Sequence, residues 1–371
     1  LEKVVVTGAA INVLDLNSGV GSNLTSKDIS NQPTLNRDLA SVLARDPLSI
    51  SGGPNNLSIA GVNPRFNSVT IDGAVQKDNL GLGTGLAATR RSPIDLDIVE
   101  SVQLVAADYS VTASNFTGGG VNVVTKGGSN EVDGALYYYY RDQDFVGEST
   151  FGGTGVNNPG IFEEKEYGAT LSGPIIKDTL FFFAAYEKFK NTQQRTNDFA
   201  NAQVDPQLFD QIRQITQSVY GFDPGEITAE FAAPQESTRW LGKIDWNATD
   251  SQRLSLTYQR TNDTDIAGTG VFNFPSSWYN SGKLQNSYSG QLFSDWSDNF
   301  TTTLRVAYKD NVTIQDSLAN AIDPTLGEIV LRLNQTDTPF LTTGSATRDI
   351  ILGADRFRHA NTFDDSRIQA F

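Results

Sequence analysis

The stretch WLGKIDWNATDSQRLSLTYQ, residues 240–259, decides the fold of this chain. On both sides of a short polar segment, Ala248 to Ser251, apolar or aromatic residues return at every second position. They are Trp240, Gly242, Ile244 and Trp246 before the segment and Leu254, Leu256 and Tyr258 after it. Because successive side chains of a β-strand point to opposite faces, the pattern predicts two strands, each with one apolar and one mostly polar face.

The same alternation returns at Leu304, Val306 and Tyr308, so it continues along the chain. Two architectures have this periodicity. In a transmembrane β-barrel the apolar face meets lipid and the interior is polar. In a soluble β-sandwich the apolar face is buried against a second sheet. Periodicity alone does not separate the two.

Connections of two lengths alternate between the predicted strands. The short ones are rich in Gly, Pro, Asn or Asp, as tight turns are, and they are Gly173–Asp178, Ala248–Ser251 and Ser297–Asn299. The long ones are Asn191–Glu236, Asn262–Gly282 and Gln315–Arg358. In an up-and-down meander this alternation places every long loop on one side, as in outer-membrane barrels with short periplasmic turns and long extracellular loops. A Greek-key sandwich does not require it, so the connections favour the barrel.

Eight strands are predicted, and they begin near Asn130, Phe162, Thr179, Ser237, Gln252, Lys283, Phe300 and His359. An eight-stranded barrel is filled by its own side chains, whereas barrels of about 22 strands have a plugged lumen. The first 128 residues could not fit inside the smaller object. Either they lie outside it, or the chain is part of a larger barrel that continues past Phe371.

Two helices are also predicted. Asn36 to Arg45 has the apolar spacing of a short helix with a core-facing side. In the first long loop, Asp205 is suited to cap a helix, Pro206 to begin it and Gly221 to end it. Apolar residues recur between them at helical spacing, at Leu208, Ile212, Ile215 and Val219.

The composition excludes several classes of function. A formal net charge of −15 argues against a nucleic-acid partner, which needs a basic surface. There is no cysteine and one histidine, His359, so neither a thiolate nor a multi-histidine metal site is expected. Gly81–Gly85 lacks the spacing of a nucleotide loop, and no serine elbow or Cys-His pair is present, so we expect no cofactor and no enzyme activity.

No apolar run approaches the roughly 20 residues of a membrane helix. The chain begins at Leu1 and contains no methionine, so we interpret it as a processed or truncated product without its signal peptide.

Three segments of the N-terminal part resemble the plug domain of TonB-dependent outer-membrane receptors: Ser58–Gly73, Ile98–Val105 and Gly118–Lys126. Three later segments resemble the Oar-like branch of these receptors: Tyr137–Asp142, Leu171–Asp178 and Phe181–Phe183. The chain departs from the family at Ala60, where Arg is frequent, and at Ala106–Asp108, where an Arg-Gly-Pro turn is frequent.

The resemblance implies a mainly β fold in which an N-terminal α+β plug domain precedes an antiparallel up-and-down transmembrane β-barrel. The complete barrel would have about 22 strands, of which about eight are present here. The implied domains are a TonB box and linker at 1–12, the plug at 13–128 and a partial barrel at 129–371. The implied location is the bacterial outer membrane.

The N-terminal segment of Glu2, Lys3, Val4, Val5, Val6 and Thr7 resembles a TonB box. Such a box is an extended peptide that adds to a sheet edge of TonB, the periplasmic energy-coupling protein, and the three valines favour that conformation. Two irregular stretches, Asp46–Leu57 and Gln76–Pro93, would form apical plug loops facing the ligand. The ligand-binding candidates there are Asn55, Asn56, Gln76, Lys77, Asp78, Asn79, Arg90 and Arg91. For Arg90 and Arg91, salt bridges to the barrel wall are an equal alternative.

The expected function is therefore binding of an unknown extracellular ligand and its import with energy transmitted through the TonB box. The expected partners are TonB and outer-membrane lipid. The alternative is a barrel for surface binding, adhesion or secretion without active import, and a soluble β-sandwich that binds carbohydrate is a third class.

Overall fold

The structure is a computed structural model that describes residues 19–34, 37–53, 56–77, 87, 89, 91–108, 118–147, 160–321, 327–334, 336–341, 347–358 and 363–370. It has two main parts, a small mixed sheet with two helices and a large antiparallel sheet. The first is called the plug (residues 19–125) and the second the wall (the eight strands between residues 133 and 370).

The plug consists of β1 (Gly19–Thr25), α1 (Ser26–Ser30), α2 (Leu39–Leu43), β2 (Ser49–Gly53), β3 (Asn56–Ile59), β4 (Ser68–Ile71), β5 (Ala74–Val75), β6 (Val99–Asp108) and β7 (Gly120–Thr125). Its main sheet has the order β1-β6-β7-β4-β5, in which β4 and β7 run parallel. The interpretation of Asp46–Leu57 as irregular is wrong, because β2 and β3 form a hairpin there.

The helix predicted over 36–45 forms as α2, which is shorter because the side chain of Asp38 caps it by accepting a hydrogen bond from the Ala40 amide. Its apolar residues enter the plug core as expected. That core contains Ile29, Leu39, Val42, Leu43, Leu57, Ile59, Val69, Ile71, Ile94, Val99, Val102, Leu104, Val121 and Val123.

The turn between β4 and β5 is a tight one at Asp72 and Gly73, which have φ of 45° and 84°. Only Gly, Asn or Asp adopt this left-handed region readily, which explains the Asp-Gly pair. At the start of β7, a Cβ on Gly119 would lie 2.3 Å from Cγ2 of Ile59, so glycine allows β7 to pack against β3.

The wall consists of β8 (Asp133–Asp142), β9 (Phe162–Ile176), β10 (Leu180–Thr196), β11 (Glu230–Thr249), β12 (Gln252–Ala267), β13 (Tyr279–Ser297), β14 (Phe300–Ser317) and β17 (Phe363–Ala370). Consecutive strands pair antiparallel, and β17 pairs with β14. The loops between β14 and β17 contain the hairpin β15 (Ile329–Leu333) and β16 (Arg348–Leu352), and the loop between β10 and β11 contains α3 (Phe199–Ala202) and α4 (Gln207–Tyr220).

The eight predicted strands and the alternation of short and long connections are confirmed. The predicted start of β11 at Ser237 and end of β10 near Asn191 are wrong, because the polar residues beyond them continue the ladder to Thr196 and Glu230. The turns of β9–β10, β11–β12 and β13–β14 share one edge, called the turn rim, and the long loops share the opposite edge, the loop rim.

The alternation assigns the two faces of the wall as predicted. Trp240, Trp246 and Leu256 lie on the outer face, where they are 50%, 44% and 47% exposed. Rings on this face form a row across neighbouring strands, with centroids 5.0 Å apart for Tyr258 and Tyr288 and 6.1 Å apart for Tyr288 and Tyr308. The inner face carries polar side chains that contact the plug. No helix within the described residues is long and apolar enough to span a membrane.

Candidate functional site

The plug touches the inner face of the wall at several places, among them the Pro93 carbonyl oxygen, which accepts from Gln259 and Thr261. The first large contact is the β4–β5 hairpin. Nε2 of Gln291 donates to the Asp72 carbonyl oxygen at 2.9 Å, and Oγ1 of Thr257 donates to the Asp72 carboxylate at 3.1 Å. Nζ of Lys243 lies 3.6 Å from the same carboxylate and donates to the Thr125 carbonyl oxygen at 3.1 Å. The Lys243 side chain is only 1% exposed, so these partners replace the water that a buried ammonium group needs.

The far end of the hairpin is held in the same way. Gln285 donates to the side-chain oxygen of Gln76, and Lys309 donates to the carbonyl oxygen of Lys77. The amide of Val75 donates to Oε1 of Gln369 at 3.3 Å. We call this set, from Asp72 to Lys77 with its wall partners, the hairpin contact. Strands β11 to β14 and β17 all contribute to it.

The second contact is a group of buried charges, called the ion cluster. The plug supplies Arg37, Arg91, Asp95 and Asp97, and the wall supplies Tyr137, Glu166, Glu187 and Arg239. Wall strands β8 to β11 each contribute one of these residues. A charge inside a protein is tolerated only when opposite charges and hydrogen bonds surround it, and here both are present.

Glu166 joins both plug arginines. Its two oxygens lie 3.1 Å from Nε of Arg37 and 3.2 Å from Nη2 of Arg91. Arg37 also reaches Asp95 at 3.3 Å and Asp97 at 2.6 Å. The Arg91 guanidinium lies over the Phe189 ring, 3.6 Å from its centroid. Planar guanidinium groups suit this combination of forked pairing and ring stacking.

Glu187 is paired from the wall side by Arg239, which donates to it from Nη1. Tyr137 donates to Asp95 at 2.5 Å and also lies 3.2 Å from Glu187. The carboxylates of Asp95, Glu166 and Glu187 are close enough together to hold a metal ion. Three arginines already lie against these three carboxylates, so we interpret the cluster as an ion-pair network and not as a metal site.

A cavity of about 470 Å³ lies beside the ion cluster, on its turn-rim side. Asp97 and Glu100 of the plug, with Lys126 directly after it, line one side of it. The inner faces of β8, β9 and β10 line the other, with Ala135, Tyr137, Tyr139, Thr170, Ser172 and Phe183. Between these two linings the plug and the wall are separated by the cavity.

The long loops at the loop rim form a separate unit with its own hydrophobic core, here called the cap. It combines α3 and α4, the segment 268–278 and the β15–β16 hairpin. Its buried residues are Val204, Leu208, Phe209, Ile212, Phe222, Ile227, Phe274, Leu341, Ile350 and Leu352. Three loops that are distant in sequence are thus joined above the wall by apolar packing.

The structure places three of the predicted ligand-binding residues in contacts within the protein. Gln76 is fully buried in the hairpin contact, and Arg91 is 6% exposed in the ion cluster. Lys77 donates to the carbonyl oxygens of Pro64 and Arg65. For Arg91, the alternative of a salt bridge to the wall is the one the structure contains.

Asn56 is half-buried at the start of β3, away from these contacts. Asn55, Asp78, Asn79 and Arg90 lie outside the described residues, as does the whole segment of Glu2, Lys3, Val4, Val5, Val6 and Thr7. Ligand binding by the apical residues and TonB binding by the N-terminal segment remain predictions.

Sequence reasoning did not single out Asp95, Glu166, Glu187 or Arg239. A signal was present, because Glu187 and Arg239 occupy inward-facing positions of the alternating pattern, in register with each other. A charged residue at such a position needs a partner inside the barrel. Which partner it finds depends on the plug, and the local pattern does not contain that information.

The fold and these contacts define a class of protein, an outer-membrane β-barrel with a plug domain held against its inner face. The sequence matches the family described as TonB-dependent Receptor Plug Domain over residues 15–121. It matches the family described as Outer membrane beta barrel domain over residues 124–364. The chain belongs to the TonB-dependent outer-membrane receptors, which are bacterial outer-membrane proteins and not enzymes.

A curated relative is the TonB-dependent transporter Oar of Myxococcus xanthus, 26% identical over 212 residues, which are 54% of this chain and 20% of that protein. Among solved structures, the outer membrane transporter YddB of Escherichia coli is similar, with a TM-score of 0.61 and 16% sequence identity. The match includes 94% of this chain and 44% of the YddB chain. The siderophore receptor PirA of Acinetobacter baumannii has a TM-score of 0.57 at 15% identity, and the match includes 92% of this chain and 45% of the PirA chain. The chain spans less than half the length of these proteins.

Proposed function

We propose that this chain is the plug and first strands of a receptor that binds a ligand outside the cell and imports it when TonB pulls on Glu2–Thr7. The observation that carries the proposal is how the plug is held. Among the residues of the plug core cluster and those packed against it, only Phe183, Leu241 and Ala185 come from wall strands, and much of the remaining described contact is made by polar and charged side chains. Polar contacts can be exchanged for water one at a time, so a seal of this kind can be opened without unfolding the wall.

Energy has to arrive through a mechanical link, because the relatives named above are TonB-dependent proteins and the ligand must cross a closed plug. In this proposal the turn rim faces the periplasm, where TonB binds, and the cap faces outside. Asn55, Asn56, Gln76, Lys77, Asp78, Asn79, Arg90 and Arg91 remain the proposed plug side of the ligand site. Because Gln76 and Arg91 are buried, they would become available only after the plug contacts rearrange.

The test is a pair of substitutions at Val5 in the full-length receptor. Val5→Pro removes an amide and fixes φ, so it should abolish strand addition to TonB. Val5→Ala keeps the amide and should be much milder. The measurements are titration of the purified receptor with the periplasmic domain of TonB, and paired surface-binding and uptake assays in cells.

We expect Val5→Pro to lose binding to the TonB domain and uptake while surface binding of ligand is unchanged. Full uptake by Val5→Pro would exclude TonB-driven import and leave the second candidate, a receptor for surface binding, adhesion or secretion. The cap supports that candidate, because it is a folded unit with its own hydrophobic core at the loop rim, where it presents a surface for binding.

A further inference from the structure

On one side of the wall, the inward-facing cations lie against carboxylates. The ion pairs of β8, β10 and β11 are Arg141 with Glu164, Arg195 with Asp265, Arg239 with Glu187 and Lys243 with Asp72. The inner face of β13 and β14 differs, because Lys283 forms no ion pair there within the described residues. A cation without a carboxylate is the exception on this wall.

Lys283 lies on β13, on the loop-rim side of the hairpin contact. It precedes Gln285 of that contact by two residues, so both side chains are on the inner face, about 7 Å apart along the strand. The ammonium group of Lys283 donates to the Thr313 hydroxyl of β14 at 2.6 Å. A hydroxyl oxygen accepts the hydrogen bond but carries no charge to balance the ammonium group.

A second cation of this kind comes from outside the wall strands. Arg358 follows the β15–β16 hairpin of the cap. Its Nη1 donates to Oε1 of Gln315 at 2.7 Å, and its Nη2 donates to the Tyr279 hydroxyl at 3.1 Å. The guanidinium lies over the Tyr279 ring, 4.4 Å from the centroid. Its Nε is buried and has no hydrogen-bond partner among the described residues. The partners of Arg358 in this part of the chain are therefore neutral.

Lys283 and Arg358 are neighbours on the inner face. Their partners Thr313 and Gln315 are two residues apart on β14, which is about 7 Å along a strand. Both cations are half-buried, so solvent reaches them. Ser317, the next inward-facing residue of β14, is 4% exposed, and its hydroxyl has no partner among the described residues. We call this group the basic site, and it consists of Tyr279, Lys283, Thr313, Gln315, Ser317 and Arg358.

Two carboxylates lie near the basic site and leave its charges unbalanced. Asp263 is opposite Lys283 in register and accepts from the Lys283 backbone amide at 3.1 Å. Asp265 lies 3.7 Å from Nη2 of Arg195. Within the described residues, neither forms an ion pair with Lys283 or Arg358. Charges of one sign between low-dielectric walls attract the opposite charge more strongly than on an open surface, although the whole chain has a net charge of −15.

We propose that the basic site binds an oxyanion group, a carboxylate or a phosphate, of the extracellular ligand. The guanidinium of Arg358 has forked donors that match two oxygens of either group, and Lys283 supplies a second positive charge. An anion there replaces neutral acceptors by charged ones, and hydrogen bonds between charged groups are the stronger kind. The hydroxyl of Ser317 adds a neutral donor beside them. This inference rests on the proposed function, since it names the chemical class of the ligand.

The first experiment measures the binding of small probes to the purified full-length receptor by isothermal titration calorimetry in a non-ionic detergent. Citrate carries carboxylates, inorganic pyrophosphate carries phosphates, and triethyl citrate keeps the citrate skeleton without its charges. Arg358→Gln removes the proposed guanidinium. Arg356→Gln is the matched control, because it removes the same charge from a side chain that is 61% exposed and pairs with Glu328 at 2.7 Å.

We expect citrate or pyrophosphate to bind saturably, and Arg358→Gln to weaken that binding about tenfold or more through the loss of charge-assisted hydrogen bonds. Lys283→Gln should weaken it as well, whereas Arg356→Gln should leave it within about twofold. The anion that binds more tightly identifies the group as carboxylate or phosphate. Saturable binding of neither anion, equal binding of triethyl citrate, or an equal loss in Arg356→Gln overturns the proposal.

The second experiment uses the receptor without substitutions, so it applies even if Arg358→Gln fails to fold. Phenylglyoxal modifies arginine side chains, and chymotrypsin cleaves after Phe357, which separates Arg356 from Arg358 for mass spectrometry. Saturating citrate or pyrophosphate should slow the modification of Arg358 and leave that of Arg356 unchanged. Equal protection of both arginines, or no protection of Arg358, contradicts the assigned site.

Neither experiment needs TonB. Failure of the import test on Val5 therefore removes TonB-driven import and leaves the basic site in place. Failure here, with TonB-dependent uptake intact, means that the receptor recognises its ligand by other chemistry.

Discussion

At the scale of single residues, the most consequential side chains are the charges buried between plug and wall. Arg91 pairs with Glu166 at 3.2 Å and lies over the Phe189 ring. Breaking a buried pair by removing one partner costs about 3–5 kcal/mol, and this is an upper bound here because Glu166 keeps Arg37 at 3.1 Å. Arg91→Leu should therefore destabilise the plug against urea by an amount of that order while the wall stays folded, measured by hydrogen exchange of plug amides.

The control for Arg91→Leu is the exposed pair of Lys165 and Glu163, 2.6 Å apart on one strand. Lys165→Gln should leave plug exchange unchanged, because exposed ion pairs contribute little. Equal effects of the two substitutions would mean that the ion cluster does not hold the plug.

A second prediction at this scale concerns Asp223 in the cap. Two hydrogen bonds of 2.9 Å from the Arg213 guanidinium hold the pKa of Asp223 at about 2, below its usual value of 3.8. A lowered pKa in the folded state adds stability at all pH values above 3.8, and this contribution is lost as the pH falls from 3.8 through about 2.

The pair is largely exposed, so a double-mutant cycle of Arg213→Gln and Asp223→Asn should give a coupling of no more than about 1 kcal/mol at pH 7. The coupling should fall as the pH is lowered through about 2 and approach zero only below that pH. A coupling that is constant over this range would contradict the assignment.

At the scale of elements, α4 shows how the cap is built. Phe209 is 1% exposed, and its ring centroid lies 5.9 Å from that of Phe199 and 6.0 Å from that of Phe274. These rings join α3, α4 and the segment 268–278. A Phe-to-Ala change in a core costs about 3–5 kcal/mol, which is large for a unit of this size.

Phe209→Ala should thus unfold the cap as one unit, and limited proteolysis should cut within 197–229, 268–278 and 327–358 together while the wall resists. Val219→Ala in the same helix is the matched control, because Val219 is 67% exposed and should change nothing. Cleavage of one loop alone in the Phe209 variant would show that the loops are independent.

At the scale of the whole molecule, the outer face of the wall has to meet lipid. Leu256 lies on this face between Ile244 and Gly290 of the neighbouring strands. Leu256→Lys should cost about 2–4 kcal/mol for a residue near the bilayer midplane. The measurement is the free energy of folding of the full-length receptor into lipid vesicles, with Leu256→Met as the control. If the lysine and methionine variants fold equally well, this face does not contact the membrane.

Much of the architecture could be predicted because it depends on neighbours in sequence. The period of two fixes which wall residues point outward, as at Trp240 and Leu256, and the Asn- and Asp-rich turns fix where strands reverse. The stop of α4 at Gly221 was also predicted, since its φ of 68° belongs to the left-handed region that glycine adopts without strain. Asp205 takes part in the cap of that helix by accepting from the Gln207 amide, although the helix itself begins after Pro206.

The limits of the pattern are visible in the same helix. Leu208, Ile212, Ile215 and Val219 recur at helical spacing, but only the first two are buried, while Ile215 is 55% and Val219 67% exposed. Spacing predicts which residues of a helix share one face. Which of them are buried depends on residues from other loops, which pack against only part of that face. The cap core was missed for this reason, because its members are brought together from positions between 199 and 352.

The sequence by itself determined the class of fold, the eight strands, the faces of the wall and the alternation of its connections, because strand periodicity and turn chemistry are local properties. Only the tertiary structure decided that Arg91 pairs with Glu166, that Arg239 and Glu187 join the ion cluster and that the cavity lies beside β8, β9 and β10. Those contacts depend on strand register, on sheet curvature and on the position of the plug against the inner face of the wall. These are set by the sum of many weak interactions between residues far apart in the chain, which no short stretch of sequence specifies.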